Sequence, residues 1–301
     1  MAPTDREADR SIDEPQTIPI APSPWTLKAT IYLFSFYISS SQQLPLWAYS
    51  PLESKSSFAS GKSCGGLSMV QIIRYLDSPA GPYDEMLVTP GKFEYEVEEG
   101  GKKIKKRNTR VTRIYVSQKV TCYNGRLHWN IPKHLARFSF TALPSGAIKI
   151  EVFPHDLTSD VSEASPSVRP FFTATYSPVS YLPYFPLSTS IMRYVGMDIN
   201  LVQPPLPAGK GKEGELPGTK RWCKLLPVEY SKKASLGWFD IRQPANAEYS
   251  DDASSDAVKE VYVEGTCSTA ENWWPGLGRW QLGMKMDDAT VLFGGETLWE
   301  A

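Results

Sequence analysis

The chain has 301 residues, with 32 lysine and arginine residues against 33 aspartate and glutamate residues and a formal net charge of −1. A balanced charge gives no general attraction to nucleic acid or to anionic membranes, so partners of these two classes are not expected. The length is sufficient for one large domain, or two smaller ones, with a substantial hydrophobic core.

Residues 1–22 are polar and rich in proline, which predicts a disordered tail ahead of a folded domain at residues 23–301. The first residues contain no apolar signal core, and no apolar run is long enough to span a bilayer. Four cysteines lie far apart without a CxxC pair, and there are three histidines. These features predict a cytoplasmic, reduced protein that uses no metal and no other cofactor.

Short β-branched and aromatic runs dominate the chain and predict strands. Residues 31–38 and 67–76 are the clearest early examples. Residues 111–122 also resemble a strand, and residues 137–143 and 147–153 are predicted to form a hairpin. With 25 prolines and few helical periodicities, the sequence predicts one mainly antiparallel β domain, either a barrel or a sandwich, with short helices.

Several local patterns complete this prediction. The pair Asn124-Gly125 is typical of a turn. Short helices are predicted for residues 133–138 and 191–195. The basic run 102–107 is predicted to be a solvated hairpin tip, and residues 246–257 an acidic surface segment.

One lysine has an unusual setting. Lys133 lies between a proline and a histidine, among side chains that normally occupy a protein core: Trp129, Ile131, Leu135 and Phe138. An amine removed from water loses hydration, which favours its neutral form, and a neutral amine attacks carbonyl groups to give a Schiff base. The alternative is that Lys133 lays its stem on the core and extends its head into water.

A turn built from Gly81 and Pro82 precedes Tyr83 and Glu85 and would fix the direction of the Glu85 carboxylate. A carboxylate aimed into a pocket orients substrate or transfers protons. An exposed acid at a turn is the alternative interpretation.

Two arginines are also candidates for a site. Arg74 lies within an apolar strand pattern, and a buried arginine requires an anion. That anion is either Glu85 or Asp84, which would make a structural pair, or a substrate carboxylate. Arg126 presents the same ambiguity.

The stretch around Lys133 resembles the active-site segment of the acetoacetate decarboxylase family. That segment reads Gly-Arg-Glu, four residues, then Pro-Lys-Lys-Leu-Gly, and the matching residues here are Gly125-Arg126, Pro132-Lys133 and Leu135-Ala136. The turn Gly81-Pro82-Tyr83-Asp84-Glu85 is similar to the family's turn with its active-site glutamate. The motifs match over residues 65–140, and the layout of residues 25–299 is similar to that of the longer, fungal-type members.

The resemblance implies a β-barrel or cone around a hydrophobic cavity, with Lys133 as the Schiff-base lysine and Glu85 in the same cavity. Tyr83, Arg74, Arg126 and His134 are then candidates for substrate binding. Two positions depart from the pattern, because Leu127 replaces the family's glutamate and His134 replaces its second lysine. A neutral histidine would not supply the positive charge of that lysine.

The implied function is decarboxylation of a β-keto acid through a lysine Schiff base. The many aromatic residues favour a large hydrophobic substrate, unless they only fill a large core. The alternatives are a Schiff-base aldolase or dehydratase and a non-catalytic protein that binds hydrophobic ligands. The expected partner is therefore a small-molecule β-keto acid or hydrophobic ligand, and a homo-oligomer is left open.

Overall fold

The structure is a computed structural model, and it describes residues 18–156, 165–191, 198–244 and 273–300. Within these ranges it contains two α-helices, α1 (Pro51–Ser54) and α2 (Lys119–Trp129), and 3-10 turns at Leu46–Ala48 and Ser57–Ala59. The strands of the same ranges are β1 (Trp25–Ile38), β2 (Ser63–Asp77), β3 (Tyr83–Thr89), β4 (Lys92–Glu99), β5 (Lys102–Thr109), β6 (Arg113–Val116), β7 (Lys133–Ala142), β8 (Ile148–Pro154), β9 (Phe172–Pro178), β10 (Phe185–Ser188), β11 (Leu201–Gln203), β12 (Trp222–Leu225), β13 (Pro227–Asp240), β14 (Trp280–Phe293) and β15 (Thr297–Trp299).

Nine of the described strands form a closed barrel. Their order around the ring is β1, β14, β13, β9, β8, β7, β6, β3 and β2, and β2 pairs with β1 to close it. Neighbours in this ring are antiparallel except β6 and β7, which are parallel and are connected through α2. The prediction of a mainly antiparallel β-barrel is confirmed, and the parallel pair makes the barrel a mixed one.

A second group of strands extends from the start of β2 and consists of β4, β5, β11, β12 and β15. The basic run 102–107 belongs to β5, so the prediction that it forms a hairpin tip is wrong; the tip is at Gly100 and Gly101. In this hairpin the lysines of β5 face the glutamates of β4, and opposite charges across a strand pair stabilise it.

The region from 111 to 138 differs most from its prediction. The predicted strand 111–122 ends at Val116, and Asn124 and Gly125 lie inside α2 rather than in a turn. The helix is fixed at both ends, because the Gln118 side chain accepts a hydrogen bond from the Thr121 amide at 2.8 Å and Asn130 takes a left-handed conformation with φ of 52°. Residues 133–138 are a strand rather than a helix, since they form the predicted hairpin with β8.

The start of the chain contributes to the barrel from residue 18 onward. The amide of Ala21 donates to Asn124 Oδ1 at 2.8 Å, and Asn124 Nδ2 donates to the carbonyl of Pro19 at 2.8 Å. Residues 1–17 of the predicted tail, the predicted acidic segment 246–257 and all but the first residue of the predicted helix 191–195 lie outside the described residues. No helix in the described ranges combines the length and the apolar character needed to cross a membrane.

Helix α2 is joined to the barrel core through an aromatic contact at its last residue. Trp129 is buried and packs edge-on against Trp25 of β1, with ring centroids 5.0 Å apart. It also lies against Phe293 of β14, at 5.2 Å. One side chain therefore fixes the helix to two neighbouring strands of the ring.

We expect Trp129→Ala to lower the free energy of unfolding by about 3–5 kcal/mol, since it leaves a cavity in a packed core. The exposed Trp280, which is on β14, provides the control, and Trp280→Ala should change stability by only about 0.5 kcal/mol. Urea denaturation measures both values. Equal effects of the two substitutions would contradict the anchoring role of Trp129.

Candidate active site

The barrel encloses a cavity of about 260 Å³ that is lined mainly by apolar side chains. One row of lining residues follows the inward face of β2, since side chains of a strand point alternately to its two sides. This row begins at Leu67, which is 53% exposed, continues through Met69, Gln71 and Ile73, and ends at the buried Tyr75. The cavity is therefore open near Leu67 and closed near Tyr75.

Glu85 of β3 lies at the closed end, opposite Ile73 of β2 in the strand register. Its Oε2 is 2.9 Å from Lys133 Nζ, and both side chains are almost completely buried, with 2% and 3% of their surface exposed. Lys133 is the first residue of β7 and is placed directly behind Glu85 rather than on the cavity wall itself. The glutamate thus stands between the amine and the open cavity.

Three more side chains complete a ring of polar contacts around this pair. Lys133 Nζ donates to Thr121 Oγ1 at 2.9 Å, and the Tyr75 hydroxyl donates to Glu85 Oε1 at 3.2 Å. Tyr83 lies beside them, with its ring 4.4 Å from that of Tyr75 and 5.2 Å from Lys133 Nζ. Thr121 therefore positions the amine, and Tyr75 positions the carboxylate.

Both tyrosines of this ring are neutral hydrogen-bonding groups. Burial, and next to it the charge of Glu85, raises the pKa of Tyr75 well above its usual value. The same two causes raise the pKa of Tyr83, against the opposing effect of its hydrogen bonds. Each phenol consequently keeps its proton and remains a donor at neutral pH.

Gly125 of α2 makes room for the lysine. A Cβ atom added there would lie 2.6 Å from Cδ and 2.7 Å from Cε of Lys133, closer than any stable contact. Glycine inside a helix is unfavourable by roughly 0.5–1 kcal/mol relative to alanine, so its presence requires a packing reason. That reason is the passage of the Lys133 stem across the helix.

A buried ionic network supports the opposite side of β7. Arg126 Nη1 lies 2.9 Å from Glu53 Oε1, and His134 Nε2 lies 2.7 Å from Glu53 Oε2. Burial alone would raise the pKa of Glu53, but His134 and Arg126 outweigh it and hold that pKa below its usual value. Arg126 also donates to the backbone carbonyl of Lys133 at 3.2 Å, which ties the network to the strand that carries the amine.

The structure therefore brings together three of the six candidate residues, namely Lys133, Glu85 and Tyr83. His134 follows Lys133 in a strand and faces the other way, so it lies against Glu53 rather than beside the amine. Arg126 is engaged by Glu53 and by backbone carbonyls. Arg74 is 47% exposed at its side chain and pairs with Asp84 at 3.1 Å, which is the structural alternative considered for it.

A second carboxyl group faces the same cavity. Glu229 of β13 is 6% exposed and its Oε2 accepts a hydrogen bond from Gln71 Nε2 at 3.1 Å. Burial raises the pKa of Glu229 to about 7, with a further increase from the charge of Glu85 and an opposing effect of the Gln71 hydrogen bond. This carboxyl group therefore exists in both protonation states near neutral pH.

Sequence reasoning missed Thr121, Tyr75, Gln71 and Glu229, and it identified Gly125 only as a residue of the matching motif. Alternation within β2 is the signal that would have found Gln71 and Tyr75, because both share a face with Ile73. Nothing in the sequence around Glu229 marks it. Within the described parts of the chain, no group of three or more histidine, cysteine, aspartate or glutamate side chains is placed to hold a metal ion.

The fold and the site together define a closed, mixed β-barrel with a buried amine and carboxylate at the end of an apolar cavity. No protein-family model matches the chain, and no curated protein matches it. Among solved structures, one from "Structural Studies of Acetoacetate Decarboxylase" aligns with a TM-score of 0.52 and 11% identity, over 97% of this chain and 96% of the other. An acetoacetate decarboxylase from Legionella pneumophila aligns with a TM-score of 0.49 and 10% identity, over 97% and 92% of the two chains.

At 10% and 11% identity these alignments show a similarity of fold alone. This conclusion rests on the alignment with the TM-score of 0.52. The chain has an acetoacetate decarboxylase-like fold. This confirms the fold that the motifs around Lys133 implied.

The contact between Gly125 and Lys133 predicts that Gly125→Ala has opposite effects on stability in the presence and absence of the lysine side chain. We expect Gly125→Ala to destabilise the protein by about 1–3 kcal/mol, because the added methyl group displaces a packed side chain. In a Lys133→Ala background the same substitution should stabilise it by about 0.5–1 kcal/mol, since only the helix preference remains. Urea denaturation of the four proteins measures this cycle, and equal effects in the two backgrounds would contradict the contact.

Glu229 should make stability depend on pH. Its pKa is about 7 in the folded protein against 4.5 as the ordinary value, so the folded state binds more protons than the unfolded state between these values. The contribution of Glu229 to stability therefore falls as the pH rises from about 4.5 to 7. Thermal unfolding midpoints of the wild type and Glu229→Gln should diverge across this window in favour of the variant, and parallel curves would show that the carboxyl group is not held in a desolvated site.

Proposed function

We propose that the protein is a Schiff-base enzyme that acts on carbonyl compounds with an apolar body, with decarboxylation of a β-keto acid as its reaction. The observation that carries this proposal is the burial of the Lys133 amine 2.9 Å from Glu85, at the closed end of an apolar cavity. Lysines are rarely buried unless they are paired, and an amine paired with a carboxylate has a partner that accepts and returns protons.

The chemistry uses the residues of the closed end. A neutral Lys133 amine attacks the ketone carbon, water leaves, and an iminium forms. The bond to the carboxylate then breaks, its electrons move toward the iminium nitrogen, and CO₂ departs. Protonation of the resulting enamine carbon and hydrolysis of the iminium release the ketone and the free lysine.

Glu85 has two roles in this proposal. Its carboxylate takes a proton from the Lys133 ammonium, which makes the amine nucleophilic. Because Glu85 lies between the amine and the cavity, its side chain must also move aside when the carbonyl carbon reaches Nζ. The hydrogen bond from the Tyr75 hydroxyl defines the position to which it returns.

The arginines do not complete this site. Arg74 pairs with Asp84 on the barrel exterior, and Arg126 is engaged by Glu53. Because both arginines are already paired, the same site also suits neutral ketones, and an aldolase or dehydratase reaction is a variant of the same proposal. Product analysis distinguishes these reactions, because CO₂ is released in decarboxylation alone.

A non-catalytic protein that binds hydrophobic ligands is the second candidate. The specific observation in its favour is the Lys133–Glu85 contact, since a carboxylate at this distance stabilises the charged amine. This candidate requires tight binding of an apolar ligand that persists in Lys133→Ala, without any turnover.

Borohydride trapping tests the proposal. With β-oxo-octanoate or methyl pentyl ketone, borohydride should fix a reduced adduct on the peptide that contains Lys133, and mass spectrometry identifies it. Lys133→Met should abolish the adduct. The control is Lys119→Met, which removes a half-exposed lysine of α2 and should leave the adduct unchanged.

Two results would count against Schiff-base chemistry. One is the absence of an adduct across a panel of ketones and β-keto acids. The other is an adduct of equal yield in Lys133→Met, which would place the reactive amine elsewhere. Adduct formation without CO₂ release would retain the Schiff base and replace the decarboxylase by an aldolase or dehydratase.

A further inference from the structure

Glu229 is a second buried carboxyl group on the cavity, and the reaction proposed above leaves it without a role. It belongs to β13, whereas its hydrogen-bond partner Gln71 belongs to β2, and the strands β1 and β14 separate these two in the ring. The hydrogen bond therefore crosses the interior of the barrel. A polar bond in this position points the carboxyl group into the cavity that Glu229 lines.

The backbone of Glu229 is held as firmly as its side chain. Its amide donates to Thr189 Oγ1 at 2.9 Å, and its carbonyl accepts from the Thr189 amide at 2.9 Å. Thr189 itself lines the cavity directly after β10. Two adjoining segments thus fix the direction of this carboxyl group, which is the pre-organisation that proton transfer requires.

Among the residues that the structure describes, few charged and titratable groups lie around Glu229. Tyr75 faces it from β2 and Glu85 from β3, and Lys133 of β7 lies behind Glu85. Thr189, next to β10, and Val291, the register partner on β14, carry no charge. Burial and the charge of Glu85 favour the protonated form, so with a pKa of about 7 a substantial fraction of the molecules carries a proton on Glu229 at neutral pH.

In the proposed reaction, no side chain has yet been assigned as the donor of the proton that the enamine carbon receives. After loss of CO₂, the enamine carbon needs one proton, and its electron pair forms the new C–H bond as the nitrogen becomes an iminium. Glu85 is next to the nitrogen, through the Lys133 contact, whereas Glu229 is in the same cavity on a different strand. The substrate carbon that bore the carboxylate extends from the iminium into the cavity.

We propose that Glu229 is the catalytic acid that delivers a proton to the enamine carbon, with Gln71 as its positioning residue. This inference rests on the proposed function. In the forward step the protonated carboxyl group gives its proton to carbon and becomes a carboxylate, which takes a new proton from water before the next turnover. In the reverse direction the same carboxylate removes a proton from the carbon next to an iminium.

The reverse step provides the test. In heavy water the wild-type protein should catalyse the exchange of the α-protons of methyl pentyl ketone for deuterium. Glu229→Gln should lower the rate of this exchange by at least about 100-fold. Borohydride trapping of the ketone on Lys133 should persist in the variant, which shows that the site is intact. The exchange rate of the wild type should also change with a pH dependence near 7 that Glu229→Gln lacks.

The control is Glu96→Gln, which alters an exposed glutamate of β4 outside the barrel cavity and should exchange like the wild type. If both the wild type and Glu229→Gln form the adduct and exchange α-protons at equal rates, the role of Glu229 is overturned and the proposed function stands. Loss of trapping in Glu229→Gln also overturns this role, because the residue would then support the Schiff base itself. Failure of the wild type to form any adduct overturns the proposed function and this inference with it.

Discussion

The burial of one amine is the constraint on which the site depends. A charged or polar group without water needs partners, and Lys133 has an ion pair with Glu85 and a hydrogen bond to Thr121, each at 2.9 Å. The partners in turn are fixed by Tyr75 and Tyr83. The arrangement is therefore a compact polar cluster inside an apolar barrel, and removing Lys133 or Glu85 would leave the other charge buried without its partner.

The parallel pair of strands explains how a local segment builds this cluster. Strands β6 and β7 run in the same direction, so the chain must cross the end of the barrel between them, and α2 makes that crossing. The helix supplies Thr121 as a partner of the amine and Gly125 as the space for its stem. Behind β7, the network of Glu53, Arg126 and His134 holds the strand from its other side.

Part of this was predictable from the sequence. A mainly antiparallel β domain followed from many short strands, and the motifs around Lys133 and Glu85 indicated the barrel, whereas the catalytic roles of these two residues stay predictions. The helix at Asn124 and Gly125 was not predictable, because capping by Gln118 and Asn130 overrides the turn preference of the pair. Arg74 has the pattern of a buried residue but lies on the outward face, and Glu229 reaches the cavity through long-range strand order that local patterns do not encode.

The hydrogen bond from Gln71 to Glu229 has a consequence for the shape of ligands. On the lining face of β2, Gln71 lies midway between Leu67 at the opening and Tyr75 at the closed end. A molecule that extends from the opening to Lys133 must pass beside this bond or replace it with polar atoms of its own. The bond therefore narrows the interior about halfway along this row of side chains, so the width left beside it limits what can reach the closed end while the bond stays intact.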